Sequence, residues 1–156
     1  MLQAMSDPSQ PPSSEPAQPV APLYTLHGVV VATVLGSLAA AVVVVCLNYL
    51  SLGSPGLARK TAIAGAIVYV LVIGLTALLP ESLALASAMI VVQALLGYAF
   101  ANALQGSAIR YHAAQGSPLH SNFRAAGVGL LTGVAIMFLL LFVLAVLQAF
   151  TGGLGT

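Results

Sequence analysis

Charged residues are the rarest class in this sequence. The 156-residue chain has four Lys and Arg residues and three Asp and Glu residues, which is 4% of its length, whereas 60% is hydrophobic. A soluble domain is typically about 25% charged. Seven charges cannot cover a water-facing surface, so the composition predicts a membrane protein. A net charge of +1 also excludes the clustered basic surface that nucleic-acid binding requires.

Cysteine is almost absent. Cys46 is the single cysteine, which excludes an intramolecular disulfide and a cysteine-rich metal site. His112 and His120 have no acid or cysteine nearby in the sequence, and two ligands do not complete a zinc site. We therefore predict neither a metal nor a cofactor.

The charges divide the chain into four uncharged stretches, each long enough for the roughly 20 helical residues that cross a bilayer. Their apolar residues do not alternate, which argues against β-barrel strands. We predict an all-α membrane protein whose domain covers residues 23–151. Its four transmembrane helices are expected at about 26–50, 61–79, 82–106 and 125–149.

The predicted spans also lack acids and bases, which bears on function. Proton-coupled pumps and exporters normally carry an intramembrane ionisable residue. A nucleophile–base pair needs an acid to orient its histidine. Neither arrangement can be built from these spans, so we expect that the protein is not an enzyme.

The ends of the chain differ in composition from the apolar stretches. Residues 1–22 are rich in Pro, Ser and Gln and cannot bury enough surface to offset their ordering entropy, which predicts a disordered tail. Residues 152–156 form a short Gly-rich tail. No basic segment precedes the first apolar run, unlike in a secretory signal, and Met5 is an alternative start of translation.

Basic residues predict the orientation, because short loops that carry Lys and Arg face the cytoplasm. Arg59 and Lys60 follow the first span, and Arg110 and Arg124 flank the loop between the third and fourth. With these four residues as cytoplasmic topology anchors, the spans form two out-in-out hairpins and both termini lie outside.

The two loops that carry the anchors resemble each other. NYLSLGSPGLARKTAIAG, from Asn48, and RYHAAQGSPLHSNFRAAG, from Arg110, share a Tyr, a Gly-Ser-Pro and a basic residue before a helix start. One interpretation is a parallel internal repeat, with its axis along the membrane normal. The other is that any short cytoplasmic loop needs turn residues and a basic anchor.

Small residues at four-residue spacing indicate contact faces, because close backbone approach drives helix association in lipid. Helices 1 and 4 each carry such a stripe, and helix 3 carries a mixed one. The predicted packing residues are Ala32, Gly36, Ala40, Gly97, Ala101, Ala125, Gly129 and Gly133.

Four amides in the apolar stretches need hydrogen-bond partners. These are Asn48, Gln93, Asn102 and Gln105. They either hold helices together or line a polar path.

Together these features favour a non-enzymatic multi-pass protein that acts through helix–helix association, as an accessory, assembly or immunity-type protein. The alternative is a small transporter or channel subunit, in which the four amides line a path formed on oligomerisation. The expected partners are the lipid bilayer and another membrane protein or a second copy, and not nucleic acid.

Two segments carry a resemblance to a family. LYTLHGVVVATVLGSLAAAVVVVCLNYLSLG (23–53) and SNFRAAGVGLL (121–131) resemble small uncharacterised bacterial inner-membrane proteins. These share an L-Y…A-T-x-L-G segment in the first helix and S-N-x-R-A-x-G at the start of the last. Ser37 departs from that pattern. The resemblance implies a location in the bacterial inner membrane and no known activity.

Overall fold

The fold consists of four α-helices. A computed structural model describes residues 21–80 and 82–152, so most of the predicted N-terminal tail and residues 153–156 lie outside the described residues. The helices are α1 (Leu26–Ser51), α2 (Pro55–Ala77), α3 (Leu83–Ala114) and α4 (Asn122–Gly152). Each is long and apolar enough to cross a membrane. The prediction of an all-α protein with four such helices is therefore confirmed.

Helix α1 is broken at its midpoint. Gly36 and Ser37 have non-helical backbone angles, and they divide the helix into two arms, α1a (26–35) and α1b (38–51). A Gly-Ser pair is a common cause of a sharp break in an otherwise regular helix.

The two arms of α1 lie side by side. The backbone N–H of Tyr24, just before α1a, donates to Asn48 Oδ1 near the end of α1b at 2.7 Å. Asn48 Nδ2 donates back to Tyr24 O at 3.0 Å. An uninterrupted helix would separate these residues by about 36 Å at 1.5 Å per residue. Helix α1 is therefore a helical hairpin, and both of its ends lie at one end of the molecule.

The other three helices surround this hairpin. A Cβ placed on Gly97 of α3 would lie 2.7 Å from Thr33 Oγ1 and 3.1 Å from Ala41 Cβ, so α3 contacts both arms at the same depth. Gly65 of α2 packs against Val42 of α1b. Within the described residues, α2, α3 and α4 each come within 8 Å of α1, Cα to Cα, but not of one another. The hairpin is thus the core, with clefts between the outer helices.

The segment before α1 contacts the loop between α3 and α4. Leu23 forms a parallel bridge with Leu119, and the N–H of His120 donates to Leu23 O at 2.8 Å. The predicted out-in-out hairpins place these two segments on opposite sides of a membrane, so this contact leaves that arrangement unconfirmed for α1. Its apolar run is long enough for a full crossing, but the chain turns back at Gly36 and Ser37.

The helix ends differ from those expected from the apolar runs. Helix α2 begins at Pro55 instead of near 61, because proline is well suited to the first position of a helix. Helix α3 continues to Ala114 instead of ending near 106, and α4 begins at Asn122 instead of near 125. In each case the helix extends past the apolar run into polar sequence.

The two Gly-Ser-Pro loops share their backbone geometry. Gly53 and Gly116 both have φ of +67°. The N–H of the serine after each glycine donates five residues back, to Tyr49 O at 2.8 Å and to His112 O at 3.2 Å. This geometry is a common glycine-based C-terminal cap of a helix. The need to end a helix in a turn therefore accounts for the similarity of the loops without a repeat. The helices before the two loops differ, since α1 is interrupted at Gly36 and Ser37 and α3 has no non-helical residue. The internal repeat therefore stays a prediction.

Candidate binding site at the hairpin tip

The hairpin tip consists of Gly36 and Ser37. Ser37 has φ of 66° and ψ of −177°, and among the described residues it is the one non-glycine residue with positive φ. This backbone region is nearly restricted to glycine, costs about 1–3 kcal/mol and occurs mainly at functional sites. At Gly36, a Cβ would collide with the carbonyl oxygen of Gly129 in α4. The tip is therefore strained at one residue and closely packed at the other.

Two side chains from outside α1 hold the tip. Gln93 Oε1 of α3 accepts a hydrogen bond from the N–H of Leu38 at 3.0 Å. This contact caps α1b, whose first N–H groups have no partner within the helix. Ser37 Oγ lies 3.3 Å from the Tyr69 hydroxyl of α2. The break in α1 is thus satisfied by one polar group from α2 and one from α3.

The tip lies deep between the outer helices. Helix α2 continues for eight residues beyond Tyr69, and α3 begins ten residues before Gln93, which correspond to about 12 and 15 Å of helix. Non-helical backbone occurs at membrane depth where it is buried in protein or lines a cavity. The tip meets both conditions.

A cavity of about 320 Å³ lies against the tip. It is lined by the polar residues Ser37, Tyr69, Gln93 and Thr76 together with Val72, Ile73 and Ala77. A second cavity of about 500 Å³ shares Thr76 with the first and extends to the turn between α2 and α3, where Pro80 and Ser82 lie. The two cavities form a cleft between α2 and α3 that leads to the tip.

The predicted packing stripes of α1 and α4 face each other. A Cβ on Gly129 would lie 2.6 Å from Ala32 O, and one on Gly133 would lie 3.0 Å from Leu35 O. Ala125 is fully buried beside Gly28. Of the other predicted packing residues, Gly97 lies against both arms of α1, as described above, and Ala40 and Ala101 are buried in the core.

The four predicted lining amides do not form one cluster, although two of them bond to each other. Asn48 Nδ2 donates to Gln105 Oε1 at 3.1 Å, and Gln105 Nε2 donates to Val45 O at 2.9 Å. Both amides are buried, and they tie α3 to the end of the hairpin opposite the tip. Asn102 accepts from Arg110 at 3.0 Å. Gln93 alone of the four reaches the cleft.

The four predicted topology anchors lie at the end of the molecule that holds both ends of α1. Arg59 and Lys60 are near the start of α2, and Arg110 is near the end of α3. Arg124, near the start of α4, donates to His120 Nδ1 at 3.2 Å.

The loop between α3 and α4 carries two histidines. His112 Nε2 bonds to Pro118 O at 3.1 Å. The His120 ring packs against the Tyr24 ring, with centroids 4.3 Å apart. Within the part of the chain that the structure describes, no group of three or more metal-ligating side chains is found.

Ser37 and Tyr69 are not among the site residues that the sequence patterns indicate. The signal for Ser37 is a Gly-Ser pair in the middle of an otherwise unbroken apolar run. Tyr69 has no comparable signal, because it is recognised only by its distance from Ser37.

Comparisons with family models, curated proteins and solved structures gave no match. The functional inference therefore depends on the geometry of the site.

Proposed function

We propose that this protein is a binding subunit of a small membrane transporter or channel, in which the hairpin tip binds a small solute. The observation that carries the proposal is the broken helix at Gly36–Ser37, whose strained serine lines a cleft. Broken helices at membrane depth form binding sites in many transporters, because they present backbone groups that a continuous helix would use internally.

We infer that α2, α3 and α4 cross the bilayer and that α1 enters it and returns. All four basic residues lie where α1 begins and ends, so the positive-inside rule assigns that end of the molecule to the cytoplasm. The segment before α1 is then cytoplasmic, the end of α4 is on the opposite side, and the cleft reaches the tip from that opposite side. The bacterial inner membrane suggested by the resemblance is the membrane we propose.

Single-cysteine variants test this topology, since replacing Cys46 with alanine leaves no other thiol. Ala21→Cys and Gln115→Cys should react with a membrane-impermeant maleimide from the same side. Leu83→Cys, at the start of α3, should react from the other side. Labelling of positions 21 and 115 from opposite sides would show that α1 crosses the membrane.

The same background tests the site. Ser37→Cys should react with N-ethylmaleimide in the folded protein, because its side chain faces the cleft. Ala41→Cys is the matched control, one helical turn away on α1b and fully buried, and should stay unreactive. Equal protection of both positions would refute a binding site at the tip.

A second candidate function is helix–helix association, which the distal half of α4 favours. Residues beyond Gly133 extend past the tip, and Phe138, Phe142 and Phe150 are 63%, 67% and 74% exposed. If this face binds a second copy or another membrane protein, Phe142→Cys should form an intermolecular disulfide in native membranes. If no disulfide forms and the protein is a monomer in mild detergent, this face contacts lipid and the association hypothesis is refuted.

A further inference from the structure

We propose that the ligand of the hairpin tip is an uncharged, largely apolar molecule whose polar end offers hydrogen-bond acceptors, such as a carbonyl oxygen, and that it enters sideways from the bilayer between α2 and α3. This inference rests on the proposed binding role of the tip and specifies its ligand.

The described lining of the cleft contains no fixed charge that could hold an ion. The polar groups of that lining are hydroxyls and one side-chain amide. A charged group in the bilayer interior costs several kcal/mol unless it is paired. Here the described lining supplies no partner, so a neutral molecule fits the cleft better than an ion does.

The polar groups at the tip include hydrogen-bond donors that no described residue accepts from. Gln93 uses its Oε1 to accept from Leu38, and its Nε2 makes no hydrogen bond within the described chain. Ser37 and Tyr69 share one hydrogen bond between two hydroxyls, which leaves one O–H free. A ligand that brings acceptor oxygens would satisfy both the amide N–H and the free O–H.

The rest of the cleft is apolar and open at the side. Between the tip and the turn it is lined by residues such as Leu79, Leu83 and Met89. Helices α2 and α3 pack on α1 but not on each other, so no described element closes the cleft toward lipid. A cavity of a few hundred Å³ with apolar walls and a few polar groups is typical of small-molecule sites. It suits a molecule with an apolar tail and a small polar end.

The test uses decyl-1,4-benzoquinone with a diazirine in its alkyl chain, photolysed with the full chain in phosphatidylcholine nanodiscs. Mass spectrometry should find labelled residues in α2 and α3 along the cleft, and unlabelled decyl-1,4-benzoquinone should compete. Decyltrimethylammonium, which has the same chain and a cationic end without acceptors, should not compete. Equal competition by both compounds, or labelling spread evenly over the lipid-facing side of α4, would overturn the proposal.

Two variants test the role of the donors. Tyr69→Phe removes the hydroxyl and keeps the ring. It should raise the concentration of unlabelled quinone that halves the photolabelling by about three- to tenfold, the usual value of one hydrogen bond. Tyr49→Phe removes a hydroxyl that bonds to Leu104 O near the other end of α1 and should change nothing.

The reactivity of Ser37→Cys separates the two proposals. If that thiol reacts and the quinone does not bind in the cleft, the ligand class is wrong and the binding role stands. If the thiol is protected, both proposals fail. If unlabelled quinone competes equally well in the wild type and in a Tyr69→Phe variant with wild-type helical content, the donor argument alone is refuted.

Discussion

Adding one methyl group at Gly129 should separate α4 from the hairpin. A Cβ there would lie 2.6 Å from Ala32 O and 2.8 Å from Ala32 Cα, whereas ordinary contact begins at 3.4 Å. Both neighbours are backbone atoms, so no rotamer change can relieve the overlap, and the helices must part by about 0.8 Å. Overpacking of this kind costs about 1–3 kcal/mol, against about 1 kcal/mol gained by replacing glycine in a helix. We expect Gly129→Ala to lower the free energy of unfolding by up to about 2 kcal/mol.

Gly127→Ala is the matched control. It lies two positions away in the same helix, and a Cβ there would meet nothing within 4 Å. It should gain up to about 1 kcal/mol from helix propensity. Unfolding in SDS, followed by far-UV circular dichroism of the protein in micelles, measures both variants. Equal stabilities would mean that α1a and α4 do not pack backbone to backbone at this level.

Three other variants or conditions probe the hairpin. Asn48→Ala removes three buried hydrogen bonds and should cost about 2–4 kcal/mol in the same unfolding assay; an unchanged stability would refute the fold-back of α1. Ser37→Gly should stabilise the protein by about 1 kcal/mol, because the relief of strain exceeds the lost bond to Tyr69, and a destabilised variant would argue against the strained tip. Burial, and then the Arg124 charge, lower the pKa of His120. The contribution of neutral His120 to the free energy of unfolding is therefore complete above the ordinary imidazole pKa near 6.5, and it is lost as the pH falls below that value. The backbone N–H of His120 donates to Leu23 O, and its hydrogen exchange should be faster in acid than the intrinsic exchange rate at that pH predicts. An identical pH profile for His120→Gln would refute this.

Much of the helix content follows from composition. Seven charges and long apolar runs require a membrane protein built from helices, and the small residues at four-residue spacing give the candidates for close contact. Gly129 and Ala32 illustrate the point, since both lie in stripes that are visible in the sequence and both are in contact. Such stripes identify possible faces because backbone approach depends on residue size alone.

The fold-back of α1 does not follow from the same features. Hydropathy averages over the Gly-Ser pair, so the run 26–51 has the same signature as a full crossing. Whether the pair breaks the helix depends on groups far away in the chain. Gln93 caps the second arm, and the backbone of α4 accepts Gly36 at close range. These contacts are tertiary, and they cannot be predicted from the sequence of α1 alone.

The two ends of the hairpin differ in how fully their polar groups are hydrogen-bonded. At the end near the loops, Asn48 bonds to Tyr24 and Gln105, and all of these groups are buried and satisfied. At the tip, Ser37 is strained and Gln93 is only half satisfied. A strained conformation persists only where its surroundings fix it, and the closed end supplies that constraint by holding the arms together. If the tip binds a ligand as we propose, loss of Asn48 should impair both folding and binding. Loss of the Tyr69 hydroxyl removes only one hydrogen bond within the protein and should impair mainly binding.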